Sequence, residues 1–365
     1  MFLSYHKLNR KEYSLKSVNF GILGCGFIGR IHLKSLMNTE SARITAACDL
    51  NSSVLRRFGE LSGLSRDQLH TDYRKLLEDS NIDAVIVGLP NRLHASVTIE
   101  ALEEGKHVFC EKPMATNFYE AKAMIDAATK TGNKLFVGLA RRFCVGNQIL
   151  KMHVDNGELG EVYYAKCSAT RRSGIPGWGS WFTRKVDAGA GPIYDIGVHI
   201  LDLAFWLISN FRPASVYASK YAKFGPNKFG LGSWGTPELN GYFDVEDLAT
   251  AMIKMENNAS IFFEASWASH IPKEVFNVML VGDKAGLDVE LSTVYSTEMG
   301  SQVDKKIRFE NKDHYLAEMN HFISCILKDE EPLTKPEEML GLQKTLDMIL
   351  KSSTENRAVI ASEIQ

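Results

Sequence analysis

The sequence lacks the features that would direct it to a membrane, a secreted scaffold or a metal site. No apolar run approaches the roughly 18 residues that a membrane-spanning helix needs. The basic, polar stretch 1–17 has no apolar core of a secretory signal. No Cys-x-x-Cys pair occurs, and no His, Cys and carboxylate cluster has metal-site spacing. We therefore expect no metal and no membrane partner.

Charge and cysteine content exclude further classes of protein. The formal net charge is only -2, which gives no reason to expect a nucleic-acid partner. The 365 residues, 45% hydrophobic and 24% charged, are typical of a soluble globular chain of about two domains. The six cysteines are Cys25, Cys48, Cys110, Cys144, Cys167 and Cys325. Several lie in apolar strand contexts, which predicts buried free thiols in a reducing compartment and hence a cytoplasmic protein.

The stretch 18–29 predicts a strand, a glycine turn and the start of a helix. Its glycines are spaced as Gly24-x-Gly26-x-x-Gly29, with Phe27 and Ile28 inside the turn. In a dinucleotide fold the first glycine allows the tight turn, the second lets backbone approach a pyrophosphate, and the third lets helix and strand pack closely. The helix N-terminus favours phosphate. An ordinary turn is the alternative.

An acid follows at the position where a nucleotide ribose would lie. Asp49 comes at the end of a second predicted strand, Arg43–Cys48. A carboxylate there accepts hydrogen bonds from ribose hydroxyls and repels a 2′-phosphate, which favours NAD over NADP. Arg56 and Arg57 keep NADP open as the minority interpretation, and a helix cap is the alternative role for Asp49.

The order of predicted elements indicates two domains. Strands predicted at 82–89, 107–110 and 134–137 alternate with helices, which favours a doubly wound parallel sheet. Later strands, at 161–172, 214–220, 246–255, 260–269 and 275–282, are grouped and favour a separate α+β domain. We predict an N-terminal arm over 1–17, a nucleotide-binding domain over 18–141, a substrate-binding and oligomerisation domain over 142–330, and a closing helix over 331–365 that packs back on the body.

A helix predicted over 193–208 carries the residues best suited to proton transfer. Asp195, His199 and Asp202 are spaced by four and three residues and would share one helix face. A histidine with a carboxylate on each side is a plausible oriented proton acceptor. A salt-bridge set on the helix surface, or a satisfied core histidine, is the alternative.

Together these motifs resemble the Gfo/Idh/MocA family of oxidoreductases, the relatives of glucose–fructose oxidoreductase and inositol dehydrogenase. The resemblance runs from Val18 to about Ser352 and includes Asp72-Tyr73, Pro90-Asn91-x-x-His94 and Glu111-Lys112-Pro113. It implies a Rossmann domain followed by a domain built on an open, mostly antiparallel sheet. It also implies nicotinamide-dependent oxidation of a sugar or cyclitol hydroxyl, and homodimers or homotetramers formed through the open sheet.

The resemblance also implies residue roles. Lys112, Asp195 and His199 match the catalytic set: His199 would accept the hydroxyl proton, Lys112 would stabilise developing alkoxide charge, and Asp195 would orient a neighbouring hydroxyl. Pro113 could hold Lys112 through a cis bond, which the sequence alone does not decide. The residues implied to bind the cofactor are Gly24, Gly26, Phe27, Ile28, Gly29, Asp49, Leu89, Asn91, His94, Glu111, Lys112 and Arg141. The segment Arg141-Arg142-Phe143 matches the family's entry into the second domain. Because Ala140 replaces the usual polar residue before it, a cofactor contact from position 140 is less strongly implied.

The substrate pocket is predicted from a glycine- and tryptophan-rich loop before the catalytic helix. Trp178 and Trp181 could pack against a pyranose ring, and Arg172, with Arg171 and Thr183, could reach hydroxyls; the alternative is that both indoles pack on protein. Lys185 and His270 are lesser candidates. Lys112, Asp195 and His199 complete the predicted substrate contacts. A neutral polyol is expected, with a phosphorylated or acidic sugar left open by Arg171 and Arg172. The loop resembles that of enzymes that oxidise pyranosides, with C3 as a candidate position, or anhydrosugars.

Two other functions remain open on the sequence. One is a glycosidase that uses bound NAD transiently, which would show no net NADH. The other is a non-catalytic, nucleotide-sensing regulator, which the retention of Lys112, Asp195 and His199 argues against.

Overall fold

A computed structural model describes residues 17–364, so the arm predicted over 1–17 lies, apart from Ser17, outside the described residues. Residues 18–138 build a six-stranded parallel sheet. Its strands are β1 Val18–Leu23, β2 Ala42–Cys48, β3 Leu69–His70, β4 Ala84–Val87, β5 His107–Glu111 and β6 Leu135–Gly138. Their spatial order, β3-β2-β1-β4-β5-β6, is that of a Rossmann sheet and confirms the predicted fold class. The order reverses between β1 and β4, where such sheets bind their ligands.

Helices connect these strands as predicted. They are α1 Phe27–Met37, α2 Ser52–Ser62, α3 Tyr73–Leu77, α4 His94–Glu103 and α5 Phe118–Thr131. The central strand β4 is fully buried, as a parallel sheet covered on both faces requires. Each helix starts at the carboxyl end of a strand, so the residues following β1, β4 and β5 meet along one edge.

The second sheet has nine strands and is mostly antiparallel. The strands are β7 Val162–Thr170, β8 Pro213–Tyr221, β9 Leu248–Met255, β10 Ser260–Ser266, β11 Val275–Gly282, β12 Ala285–Asp288, β13 Thr293–Glu298, β14 Ser301–Lys306 and β15 Val359–Ile360. Their order is β14-β13-β12-β11-β7-β10-β9-β8-β15, and of these pairs only β7 with β10 is parallel. The sequence analysis missed β12 to β15. Two of these strands, β12 and β15, have only four and two residues, and β14 is exposed and polar, so they carry little hydrophobic alternation.

The helices of this half are α6 Val145–Asp155, α7 Lys185–Ala188, α8 Val198–Leu207, α9 His314–Leu327 and α10 Pro336–Glu355. The single helix predicted over 193–208 is in fact a π-helical turn, Ile193–Gly197, followed by α8. Both segments are almost entirely buried. A wide turn at this point changes the direction of Asp195 relative to α8, as π-turns at functional sites often do.

Two helices tie the sheets together. Phe322 of α9 packs with Phe20, Phe109 and Phe136 of the Rossmann sheet, at ring-centroid distances of 5.6–6.1 Å. Helix α10 lies along β8, where Ser352 accepts the N–H of Ala218 at 2.9 Å. A helix within the range 142–330 therefore covers the first sheet, and the predicted domain limits stay predictions. Across residues 17–364 no helix is both long and apolar enough to span a bilayer.

Candidate active site

The glycine turn after β1 is closed on one side and open on the other. Gly24 has φ +95°, and a Cβ there would lie 2.2 Å from the carbonyl oxygen of Gly88. A Cβ on Gly29 would lie 2.0 Å from the carbonyl oxygen of Gly24. A Cβ on Gly26 would meet nothing within 4 Å. The first and third glycines are therefore required by packing, while the second leaves a cradle that backbone N–H groups face and a pyrophosphate would fill.

Asp49 holds this turn in place. Its carboxylate accepts the N–H of Cys25 at 2.9 Å and the N–H of Asn51 at 2.8 Å. The helix cap considered for Asp49 is instead supplied by Asn51, whose side chain accepts the N–H groups of Ser53 and Val54. Asp49 thus lies beside the cradle with lone pairs to spare, and its contact with a ribose stays a prediction.

Lys112 and Asp195 come from different halves of the chain and meet at the carboxyl edge of β5. The Lys112 Nζ donates to the backbone oxygen of Asp195 at 2.8 Å and to its Oδ1 at 2.9 Å. The peptide bond between Lys112 and Pro113 is cis, the possibility that the sequence left undecided. Because Lys112 follows a Rossmann strand and Asp195 lies in the π-helical turn before α8, this ion pair joins the two halves at the candidate site.

Trp267 is a site residue that sequence reasoning missed. Its Nε1 donates to Asp195 Oδ2 at 2.7 Å, and its side chain is fully buried. It directly follows β10 in an apolar segment, so nothing in the local pattern distinguishes it from a core tryptophan. With Lys112 on one oxygen and Trp267 on the other, the Asp195 carboxylate is fixed in direction.

His199 lies one turn into the helical segment after Asp195 and is poised as a base. Its Nδ1 is buried and has no hydrogen-bond partner among residues 17–364. The pKa of His199 is well below its ordinary value, chiefly because burial disfavours the imidazolium and further because the charges of Lys112, Arg141, Arg171 and His314 repel it. A neutral imidazole at pH 7 can accept a proton, as the predicted role requires.

Asp202 does not orient His199, and that part of the prediction is wrong. Its carboxylate takes a forked pair of hydrogen bonds from Arg142, at 2.6 Å from Nη2 and 3.0 Å from Nε, and neither side chain is exposed. Arg142 also donates to Glu338 of α10. The two acids, one helical turn on either side of His199, have different partners: Asp195 pairs with Lys112 at the candidate site, whereas Asp202 belongs to a buried ion-pair network. The surface salt-bridge alternative fails as well, because this face is buried.

The remaining cofactor candidates surround the same edge, and their contacts are mostly with the chain itself. The Asn91 side chain donates to the oxygen of Ala188 at 2.8 Å. The two ring nitrogens of His94 lie 2.7 Å from the oxygen of Pro113 and 2.8 Å from that of Leu89. His94 thereby fixes the loops that carry Leu89 and Lys112. Direct cofactor contact by Leu89, Asn91 and His94 stays a prediction.

Arg141 is half-buried, with its guanidinium 4.5 Å from the centre of the Phe276 ring. Glu111 is buried and paired with His32. Phe27 is largely exposed at the mouth of the turn, 61% by area, and its ring is 6.5 Å from that of Trp234. Cofactor contacts by Phe27, Ile28, Glu111 and Arg141 also stay predictions.

The tryptophan-rich loop presents less to a substrate than the sequence suggested. Trp178 is buried, its Nε1 donates to the oxygen of Gly225 at 2.8 Å, and the Lys228 ammonium lies 4.2 Å from its ring centre. The geometry agrees with the alternative of a tryptophan packed on protein. Trp181 is half-buried and stacks on Phe182 at 3.7 Å.

The polar candidates of this loop also divide. Thr183 is buried and its hydroxyl is held between the N–H of Gly179 and the oxygen of Tyr242. Arg172, Lys185 and His270 are exposed, and Arg171 is half-buried. Arg171 is near enough to influence His199 electrostatically, whereas Thr183 serves the loop. Substrate contacts by Arg172 and Trp181 stay predictions.

Comparison with known proteins identifies the family. Residues 18–139 match the model described as an oxidoreductase family with an NAD-binding Rossmann fold, and residues 147–288 match the Gfo/Idh/MocA C-terminal domain. The D-glucoside 3-dehydrogenase of Escherichia coli is 33% identical over 310 residues, which cover 84% of this chain and 86% of that protein. The chain belongs to the Gfo/Idh/MocA family of oxidoreductases.

Other members of the family are similar over shorter or more divergent stretches. The levoglucosan dehydrogenase of Pseudarthrobacter phenanthrenivorans is 29% identical, over 70% of this chain and 69% of that protein. A levoglucosan dehydrogenase structure in complex with NADH superposes with a TM-score of 0.82, over 94% of this chain and 99% of that one, at 20% identity. That likeness shows the Gfo/Idh/MocA fold. The family and fold predicted from the motifs are confirmed.

Proposed function

We propose that the protein is an NAD-dependent dehydrogenase that oxidises a secondary hydroxyl of a sugar, a glycoside or a cyclitol, with C3 of a pyranoside as the first position to test. The observation that carries this proposal is the imidazole of His199, whose Nδ1 has no hydrogen-bond partner among residues 17–364 and whose pKa is lowered by burial and then by the charge of Lys112, the partner of Asp195. The glucoside and levoglucosan dehydrogenases among its relatives support the substrate class.

The chain's own groups suit removal of a hydroxyl proton. A secondary alcohol becomes a ketone by losing a proton from oxygen and a hydride from carbon. A nitrogen of His199 accepts the proton. Lys112 has three N–H donors and gives two to Asp195, so the third can hydrogen-bond the substrate oxygen and stabilise its developing charge. A bound nicotinamide would accept the hydride.

Asp195 orients a second hydroxyl of the substrate. Both of its oxygens already accept a hydrogen bond, from Lys112 and from Trp267. A carboxylate oxygen has a further lone pair, so a neighbouring hydroxyl can be held without breaking either bond. This arrangement favours vicinal diols, as sugars and cyclitols are.

We further propose NAD rather than NADP as the cofactor. The Asp49 carboxylate beside the glycine cradle supports this choice, because it would repel a 2′-phosphate. Arg56 and Arg57 on α2 are exposed and are the residues through which NADP could bind instead. Fluorescence titrations with NADH and NADPH test the point, and a clear preference for NADPH would contradict the role of Asp49.

The decisive experiment screens inositols, free sugars and glycosides for NADH formation at 340 nm. One NADH per ketone formed is the expected stoichiometry; bond cleavage without net NADH would identify the transient-redox glycosidase instead.

His199→Ala should lower turnover by about 10²- to 10⁴-fold while NADH binding persists. His153→Ala, on α6 away from the site, is the matched control. Turnover that survives His199→Ala would eliminate this residue as the proton acceptor.

We propose a homodimer or homotetramer formed through the uncovered face of the second sheet. A cross-strand row on this face contains Tyr217, Met252, Phe262, Lys166 and Met279, each paired with the next. Tyr217 and Met252 are 56% and 47% exposed, a large apolar area to leave in water. Light scattering of the purified protein and of Met252→Lys checks this, with a shift toward monomer expected for the variant.

We also propose that the protein works in the cytoplasm. All six cysteines are free, and all but Cys144 are buried. Burial raises the pKa of the thiols of Cys48 and Cys110 to about 12, which keeps them protonated and unreactive. Cell fractionation tests the location.

A further inference from the structure

A buried acid–base pair lies directly behind the catalytic lysine and has no part in the chemistry proposed above. Glu111 is the last residue of β5, and its Oε1 lies 2.6 Å from the Nε2 of His32 on α1. The His32 side chain has no exposed surface and that of Glu111 has 9%. Removing ionisable groups from water costs free energy, so the burial of this pair suggests that it has a role in the folded protein.

The packing around the pair fixes its geometry. A Cβ on Gly138 of β6 would lie 3.2 Å from Glu111 Oε1, so this glycine leaves the room that the carboxylate occupies. The His32 ring meets the ring of Phe109 edge-on at 4.8 Å and that of Tyr315 at 6.4 Å. These contacts restrict the orientation of both partners.

The hydrogen bonds of the pair identify its donor and its acceptor. The Nε2 of His32 faces Glu111 Oε1 at 2.6 Å, and its Nδ1 is buried without a partner in the described part of the chain. Burial raises the pKa of Glu111, but the hydrogen bond and the charge of His32, followed by the charge of Lys112, outweigh it, so the net pKa is lowered and the carboxylate stays ionised. The imidazole is therefore the donor and the carboxylate is the acceptor.

The second oxygen of Glu111 connects the pair to the catalytic site. Glu111 Oε2 accepts the backbone N–H of Lys112 at 3.1 Å, and the Lys112 ammonium in turn reaches Asp195. His32 lies on α1, the helix that begins at the glycine cradle. A continuous chain of contacts thus runs from that helix through Glu111 to the amine.

We propose that His32 is a positioning residue for Lys112: by donating to Glu111 it holds the carboxylate that anchors the lysine backbone, and so places the amine against Asp195. This inference rests on the catalytic role proposed for Lys112. Other ionisable groups near Glu111 are His94, Tyr315 and Glu318, and none of them forms a hydrogen bond with its carboxylate within residues 17–364.

The test compares His32→Leu, which removes the donor, with His32→Gln, whose amide can donate to Glu111. Ser35→Ala is the control, because Ser35 is buried on the same helix and bonds only the oxygen of Ile31. For His32→Leu we expect kcat to fall roughly 10- to 100-fold, as displaced catalytic groups do, with the dissociation constant for NADH changed by less than about threefold. His32→Gln should recover most of the loss, and Ser35→Ala should behave as wild type.

A second readout needs no substrate. Acylation of Lys112 by acetic anhydride, followed by peptide mass spectrometry, should be faster in His32→Leu than in wild type, because the amine is no longer held against Asp195. If His32→Leu does not fold, Glu111→Gln replaces it in both measurements. A wild-type protein with no dehydrogenase activity would refute the proposed function while leaving the acylation result intact. Equal losses in His32→Leu and His32→Gln, or unchanged acylation of Lys112, would overturn the positioning role.

Discussion

The two glycine-rich segments of the molecule differ in one respect, because, of the glycines compared, only one in the turn after β1 is open. In the turn after β1, a side chain on Gly26 would project into open space. In the loop of the second half, a Cβ on Gly179 would lie 2.1 Å from the oxygen of Glu238, and one on Gly241 would lie 2.0 Å from the oxygen of Gly179. The first segment packs Gly24 and Gly29 on backbone but leaves Gly26 open, whereas both of these glycines in the second segment pack backbone on backbone.

This difference separates the candidate binding surface at Gly26 from the packed loop around Gly179 and Gly241, which we call the strap. An open glycine leaves N–H groups for a ligand, whereas a packed glycine lets two loops approach more closely than any other residue allows. The strap explains why Trp178, which lies among these glycines, is buried rather than presented to a sugar. Substitutions at packed positions and at open positions can therefore test this difference.

The largest effect is expected where two acids of one helical segment are compared. Asp202→Ala would leave the Arg142 guanidinium buried without its forked partner, which should lower the free energy of unfolding by about 3–5 kcal/mol. Asp195→Ala should instead reduce kcat more than it reduces the free energy of unfolding. The reason is that Asp195 holds the amine of Lys112, which is proposed to contact the substrate. Urea unfolding and steady-state kinetics of both variants measure this. Similar stability losses in the two would show that Asp195 is also chiefly structural.

A smaller effect is expected from one alanine in each glycine segment. Gly179 has φ +81°, so Gly179→Ala combines backbone strain with a clash and should cost about 2–4 kcal/mol. Gly26 has φ -71° and ψ -151°, and a Cβ there would meet no atom within 4 Å, so Gly26→Ala involves no clash and should cost less stability than Gly179→Ala. Its new methyl group would occupy the cradle and weaken NADH binding by roughly tenfold, about 1.4 kcal/mol. Thermal melts and fluorescence titrations decide; unchanged NADH affinity in Gly26→Ala would place the pyrophosphate elsewhere.

The same division explains what could be predicted from sequence. Gly24, Gly29 and the strands around them were predictable because their roles depend on local backbone geometry, which a short motif records. The candidate catalytic group of Lys112, Asp195 and His199 required the family resemblance, because no local rule brings the end of β5 to a helix about 80 residues later. The role of Asp202 was misjudged, since its partner Arg142 is 60 residues away.

Side-chain direction in loops was the least predictable feature. Trp267 and Trp178 are both tryptophans beside small residues, yet one donates to Asp195 and the other to the carbonyl of Gly225. Which partner each indole finds depends on loops that meet only in the folded chain. Composition and spacing carry no record of that choice.

Glu318 extends the comparison to a packed carboxyl group outside the site. Burial, followed by the charge of Glu111, raises its pKa well above the ordinary 4.5, so the folded protein holds it protonated. The contribution of Glu318 to the free energy of unfolding is complete below pH 4.5. It is lost as pH rises from 4.5 toward the pKa in the folded state, because over this interval only the unfolded chain releases the proton. Wild type should therefore lose about 1.4 kcal/mol per pH unit over that interval relative to Glu318→Gln, which does not titrate.

Denaturant unfolding of both proteins at pH 5, 6, 7 and 8 measures the gap. Histidines whose pKa values are lowered by burial, such as His94 and His199, oppose this trend below about pH 6.5. They are common to both proteins and cancel in the difference. A gap that does not widen with pH would show that Glu318 is ionised in the folded state.

The smallest effect on catalysis is expected at Trp178. Trp178→Phe keeps an aromatic ring but removes the hydrogen bond to Gly225 and weakens the contact with Lys228, so stability should fall by about 1–2 kcal/mol. KM for the best substrate of the screen should change by less than about threefold, because the indole faces protein. Trp181→Phe, in the same loop but half-buried, is the matched comparison. A KM raised tenfold or more by Trp178→Phe, with stability unchanged, would mean that this loop contacts the substrate. That result would contradict the distinction between the strap and the cradle.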